Sequence, residues 1–221
     1  MTETNARAGA RRPGPMSGRQ AEAARNDQRI LDSARAVFVA DPGAPITAVA
    51  KHAGVGISAL YTRYGSKEEL LRKLCTDGLT VFVAETEKAL ERLKQGQDHW
   101  QVFADYMRNL TDADTSSLTR ALAGKFAPTP AMSALAIRSS ELSEELFAGI
   151  RDVLRPDLAL HDISLSFELV AAVKVADPVR TAELRRRYLA LILDGMRADG
   201  RGELPGSPPG WQEISERWYP G

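Results

Sequence analysis

Apolar positions recur every three to four residues along most of this chain, and they almost never alternate. That spacing predicts helices and not strands. In NDQRILDSARAVFVAD, Ile30, Leu31, Ala34, Val37 and Phe38 make one stripe. Asn26 or Asp27 is placed to cap the start of that helix, and Asp41-Pro42-Gly43 ends it. ITAVAKHAG predicts a two-turn helix with Val49, Ala50 and Ala53 on one side. Gly54 stops it, since glycine tolerates the left-handed conformation such stops use. ISALYTRY predicts a second short helix, and Ser66 with Glu69 has the spacing of a capping box. From there one helix is expected to run to about Lys94, with Gly78 as its weak point.

Two short helices around a glycine turn, held by a preceding amphipathic helix, predict a helix-turn-helix. Ala50 and Gly54 are small where the helices approach, and Val55 and Leu60 fill the space between them. The second helix is then free to enter a DNA major groove, whose width admits one helix. Leu60 faces the core, while Ser58, Ala59, Thr62 and Arg63 are expected to face outward. Tyr61 has the reach and the hydroxyl for a phosphate, and Lys67 opens the next helix, where an ammonium and free backbone N–H groups both suit one.

The rest of the chain predicts more helices. Trp100, Phe103, Met107 and Leu110 form a stripe; SLTRALAGKF is a short amphipathic piece ending before Pro128. The next helix starts at Pro130 and carries Met132, Leu135, Leu142, Leu146, Phe147 and Ile150, until Arg155-Pro156-Asp157 breaks the pattern. DISLSFELVAAVKVAD and PVRTAELRRRYLALILDGMRA follow. The last has apolar residues at Leu184, Tyr188, Leu189, Leu191, Ile192, Leu193 and Met196, too wide for one core-facing stripe. Its second side needs a cover, and a partner subunit is the simple candidate. Arg185 to Arg187 are expected on a solvated face. After Gly200 a Pro/Gly linker leads to WQEISERWYPG, where Trp211, Ile214 and Trp218 share one helical face and are expected to dock.

Composition narrows the function. Of 221 residues, 43% are hydrophobic and 26% charged, as in a soluble globular protein. The single cysteine, Cys75, fits inert packing and a reducing, cytoplasmic setting; no run is apolar enough for a membrane span or a secretory leader. The net charge of zero hides an asymmetry. Residues 1–75 hold 12 Lys/Arg and 7 Asp/Glu, against 17 and 22 in the remainder. A basic front suits a polyanion. His52, His99 and His161 have no metal-ligand spacing, and no phosphate loop or nucleophile elbow appears. Neither a catalytic residue, a metal nor a cofactor is expected.

RILDSARAVF followed by VAKHAGVGISALYTRYGSKEELL resembles the DNA-binding domain of the TetR family of bacterial transcriptional regulators. The resemblance covers residues 26–71. It implies an all-α chain: three N-terminal helices for DNA, a linking fourth, and a helical domain that dimerises and binds an effector. Tyr61 and Lys67 fall on the family's phosphate-contacting positions. Pro45, Gly56 and Ala59 replace residues that are commonly Ser or Thr, which removes hydroxyls from the DNA face; Arg63 offers compensation as a guanine reader. Tyr64 replaces a commoner Phe.

The expected organisation is a disordered basic arm over 1–24, the helix-turn-helix domain over 25–72, the effector and dimerisation domain over 73–200, and the linker with its docked helix over 201–221. Ile57, Ser58, Ala59, Tyr61, Thr62, Arg63 and Lys67 are the DNA-contact candidates. Trp100, Phe103, Met107, Phe126, Met132 and Phe147 are the effector-site candidates, because aromatics and Met cluster there. The family's last two long helices form its dimer interface, which points to Leu169, Val173, Leu189 and Ile192. The expected function is a homodimeric repressor on a palindromic double-stranded operator, released by a small apolar effector. A ligand-independent DNA-binding protein or activator is the alternative, with a helical enzyme behind it.

Overall fold

The structure, a computed structural model, describes residues 18–114, 118, 122, 125–199 and 202–215. Its named elements are all helical: α1 (Gly18–Ala40), α2 (Ile46–Ala53), α3 (Ile57–Tyr64), α4 (Lys67–Lys94), α5 (His99–Asp112), α6 (Pro130–Gly149), α7 (Leu160–Ala172), α8 (Pro178–Met196) and α9 (Trp211–Ser215). A 3-10 turn, Arg151–Val153, follows α6. One isolated antiparallel bridge joins Leu154 to Arg197.

Local chemistry sets many of the boundaries. Ser66 Oγ accepts from Glu69 N at 3.1 Å to open α4, Asp98 caps α5 at 2.7 Å, and Thr129 caps α6 at 3.2 Å. Pro130 and Pro178 stand in the first turns of α6 and α8, where a missing N–H costs nothing. Gly78 is buried inside α4 and does not interrupt it.

Two cores share α4. Leu70, Leu71, Leu74 and Cys75 at its start pack with Ile30, Ala34, Phe38, Val49 and Leu60 in a head. Ala89 and Leu90 near its end pack with Phe103, Met107, Leu146, Phe167 and Leu193 in a body. At 28 residues, α4 is a rod about 42 Å long that ties the two together.

The structure revises several expectations. Helix α1 begins at Gly18, so residues 18–24 are helix and not part of a disordered arm; residues 1–17 lie outside the described residues. GRQAEAAR is rich in good helix formers, which carries α1 past the expected caps. Neither Asn26 nor Asp27 caps it: Asn26 accepts from Arg29, and Asp27 pairs across the head. Arg185 is not solvated. It is 8% exposed and donates to Asp114 at 2.8 Å and to the carbonyls of Ala171 and Val173, closing the end of α7. The SLTRALAGKF segment lies mostly outside the described residues, but its Leu118 and Leu122 are buried in the head core.

The tail is tethered. Arg155 donates to the Gly202 carbonyl, and the Leu204 N–H donates to Asp157 at 2.8 Å. Trp211 stands 6.0 Å from the His161 ring at the start of α7 and stays 60% exposed; Trp218 lies outside the described residues.

Candidate nucleic-acid interface

The turn between α2 and α3 is built by Gly54. Its φ of 65° is left-handed, and the next N–H, of Val55, donates to Ala50 O at 3.0 Å. A side chain at this φ is strained, which is why glycine stands here. Pro45 and Gly56 precede α2 and α3 without a side-chain cap, as their lack of hydroxyls requires.

Burial orients α3. Leu60 and Tyr64 are buried and Ile57 is half-buried against the same core. Ile57 is therefore largely a packing residue. Ser58, Ala59, Tyr61, Thr62 and Arg63 are exposed. At about 100° per residue, Ser58, Ala59 and Thr62 occupy the side opposite the core, with Tyr61 and Arg63 on its two flanks. Thr62 Oγ1 donates to Ser58 O at 2.8 Å, which leaves its methyl and lone pairs for a partner. Tyr61 is 46% exposed.

Arg63 and Lys67 are not the free cations the pattern predicts. Arg63 Nε and Nη2 donate to the two carboxylate oxygens of Asp27, both at 2.8 Å. Tyr64 Oη donates to Asp27 Oδ1 at 2.5 Å. The hydrogen bonds from Arg63 hold the Asp27 carboxyl down at about 2, against partial burial. Burial and the Asp27 charge push the Tyr64 phenol above its ordinary value. Lys67 Nζ donates to Ala44 O at 2.6 Å, with Gly43 O at 3.3 Å and Pro42 O at 3.4 Å, and lies 5.2 Å from the Phe38 ring centre. It staples the α1–α2 turn to the start of α4, so a phosphate there would share its ammonium with these carbonyls. Asp27 is the residue the sequence reading missed as a site residue. Its partners sit 36 and 37 positions away, and no local spacing signals such a pair.

Residues 30–74 match the family model of bacterial regulatory proteins, tetR family. Over those residues the head is a tetR-family domain. Two solved structures show how far the likeness of fold extends. The TetR-like transcriptional regulator LfrR of Mycobacterium smegmatis, in complex with proflavine, is 20% identical over 82% of this chain and 99% of its own, with a TM-score of 0.58. The TetR transcriptional regulator SCO0520 of Streptomyces coelicolor is 20% identical over 79% of this chain and 99% of its own, with a TM-score of 0.50. No curated protein matches the chain.

Behind the TetR head, the six expected effector residues do not gather. Met132 and Phe126 pack on the head core. Phe103 and Met107 are fully buried in the body core, with Trp100 and Phe147 half-buried against it. Arg197 lies over the Trp100 ring at 4.7 Å and Arg151 over Phe147 at 5.4 Å. A crevice lined by Leu110, Thr111, Asp114, Phe167, Val170, Ala171 and Arg185 has room for one water at most, and for no effector.

The expected dimer residues also divide. Leu189 is 1% exposed and belongs to the body core, because α8 turns that side inward. Val173 is half-buried, and Ile192 is half-buried against the body core. Leu169 is 66% exposed; on α8 the exposed large apolar residues are Val179, Tyr188 and Leu191. Among the described residues no cluster of His, Cys, Asp or Glu could hold a metal, and no helix is long and apolar enough to cross a membrane. Burial pushes the Cys75 thiol up to about 12, so it stays protonated and unreactive at neutral pH.

Proposed function

We propose that this chain is a cytoplasmic, homodimeric transcriptional repressor of the TetR type. It sets two α3 helices on the half-sites of a palindromic operator and is released by a small apolar effector. The observation that carries the reading is the exposed face of α3 within a head that matches the tetR family model. Ser58, Ala59 and Thr62 offer two hydroxyls and two methyls to base edges, and Tyr61 and Arg63 flank them where the two backbones of a groove would run.

Dimerisation uses the outer sides of α7 and α8, through Leu169, Tyr188 and Leu191 with Val173 and Ile192 at the margin. These exposed apolar residues on neighbouring helices are the cover-seeking side that the width of the α8 pattern requires. Two heads on one rigid dimer set the half-site spacing. The effector acts in the body around Phe103 and Met107, and must favour a dimer whose heads no longer match that spacing.

Selection of bound duplexes from a random pool tests the DNA reading. An inverted repeat should emerge. Proflavine, the compound bound by LfrR, is the first effector probe. Release of the selected duplex by an apolar cation supports the effector half of the proposal. A chain that stays bound under a panel of such compounds, while binding the duplex selectively, would favour the ligand-independent reading.

A further inference from the structure

We propose that Asp27 is a positioning residue for DNA. It holds the Arg63 guanidinium so that the outer edge of that group meets a backbone phosphate at the rim of the groove. The proposal deepens the DNA-binding reading above and rests on it.

A guanidinium has five N–H donors arranged as two forks. Asp27 takes one fork, Nε and Nη2, at 2.8 Å each. The other fork, one hydrogen of Nη1 and the second of Nη2, faces away from the carboxylate. Arg63 is 60% exposed, whereas Asp27 is only 20% exposed. The carboxylate is itself fixed: Tyr64, buried in the head core, donates its hydroxyl to Asp27 Oδ1. A Phe at position 64 would leave that oxygen with Arg63 alone. The three side chains thus form one unit, anchored in the core at Tyr64 and open at Arg63.

The place of Arg63 on α3 selects phosphate over base. Ser58, Ala59 and Thr62 hold the side opposite the core, and Arg63 lies about 100° round from its middle, as Tyr61 does on the other flank. A bidentate fork suits phosphate geometry. Two opposing effects of the Asp27 charge can be compared. Holding a long arginine in advance saves rotamer freedom worth up to about thirtyfold in an equilibrium constant. A carboxylate set behind the guanidinium repels the phosphate by about twofold in salted water and by about fivefold at the lower dielectric of a protein surface. Against up to about thirtyfold, positioning still wins.

The sign of the effect makes the test. Asp27→Asn adds one unit of positive charge to the head, and charge alone would tighten DNA binding. The proposal expects the reverse: about tenfold weaker binding at fixed salt, on the selected operator and on random duplex alike. In an Arg63→Ala background, Asp27→Asn should weaken binding no further, because Asp27 acts only through Arg63. Thermal melting of each variant, and affinities counted per folded chain, separate this from a loss of fold. Tighter or unchanged binding by Asp27→Asn would overturn the proposal, and so would equal weakening in both backgrounds. A weakening confined to the operator would reassign Arg63 to a base and overturn the phosphate assignment. If the wild-type chain binds no duplex at all, the DNA reading itself falls, an outcome distinct from the others.

Discussion

At the scale of single residues, the head depends on polar pairs as well as on packing. Asp27 is ionised with its carboxyl held at about 2, below the 3.8 of a free one. A depressed acid contributes stability that is complete above its unfolded value and is lost as pH falls through its folded one. The Asp27 contribution is therefore expected nearly in full above about pH 4 and gone only below about pH 2, worth about 1 kcal/mol once screening at the exposed Arg63 is allowed for. Acid melting curves of the wild type and Asp27→Asn check this: they should differ at neutral pH and converge below about pH 2. Tyr61→Phe should weaken binding to every duplex by about 1 kcal/mol, since it removes a positioning contact and no base contact. Lys67→Met should lower stability by about 1–2 kcal/mol without DNA, through its lost carbonyl bonds, which denaturant titration would show.

What was legible at this scale follows from distance along the chain. The buried stripe Ile30, Ala34 and Phe38 could be read because the helical period places those residues on one side. The Asp27–Arg63–Tyr64 unit could not, because tertiary packing alone brings α1 against the end of α3. Asp27 offered a local role as a cap, and the longer α1 removed it.

At the scale of elements, the two turns of the helix-turn-helix head are glycine-dependent in different ways. Gly54 has φ 65° with open space where a Cβ would stand, so Gly54→Ala meets only the backbone penalty, about 1 kcal/mol. Gly65 has φ 64° and its Cβ would fall 2.5 Å from the Glu69 carboxylate, so Gly65→Ala must also displace that side chain and should cost more. Denaturant midpoints of the two variants give the order. With its cap and stripe, α4 was legible at both ends; α6 was legible at its Pro130 start but stops at Gly149, short of the break expected at Arg155. The two-sided α8 was legible as a helix but not in its orientation. Periodicity shows two apolar sides and says nothing of which faces its own core. Leu189 went inward and Leu191 outward.

At the scale of the whole molecule, that orientation separates folding from assembly. Leu191→Asp is expected to give folded monomers, whereas Leu189→Asp places a charge in the body core and should unfold the chain. Sedimentation with circular dichroism tells the two apart. A folded, monomeric wild type would remove the basis for paired heads. The effector site was the least legible feature. Aromatic clustering along the chain does not report which core each residue joins, and Met132 and Phe126 joined the head.

The central claim is that α3 reads DNA as one of a matched pair. Its most direct test is the affinity of the dimer for its best duplex from a random pool, set against a scrambled duplex at the same salt. The account predicts an inverted repeat with half-site centres about 10 base pairs or a multiple apart, bound at least about 1,000-fold more tightly than the scramble. Equal affinity for the two duplexes, or a selected site without two-fold symmetry, would contradict it.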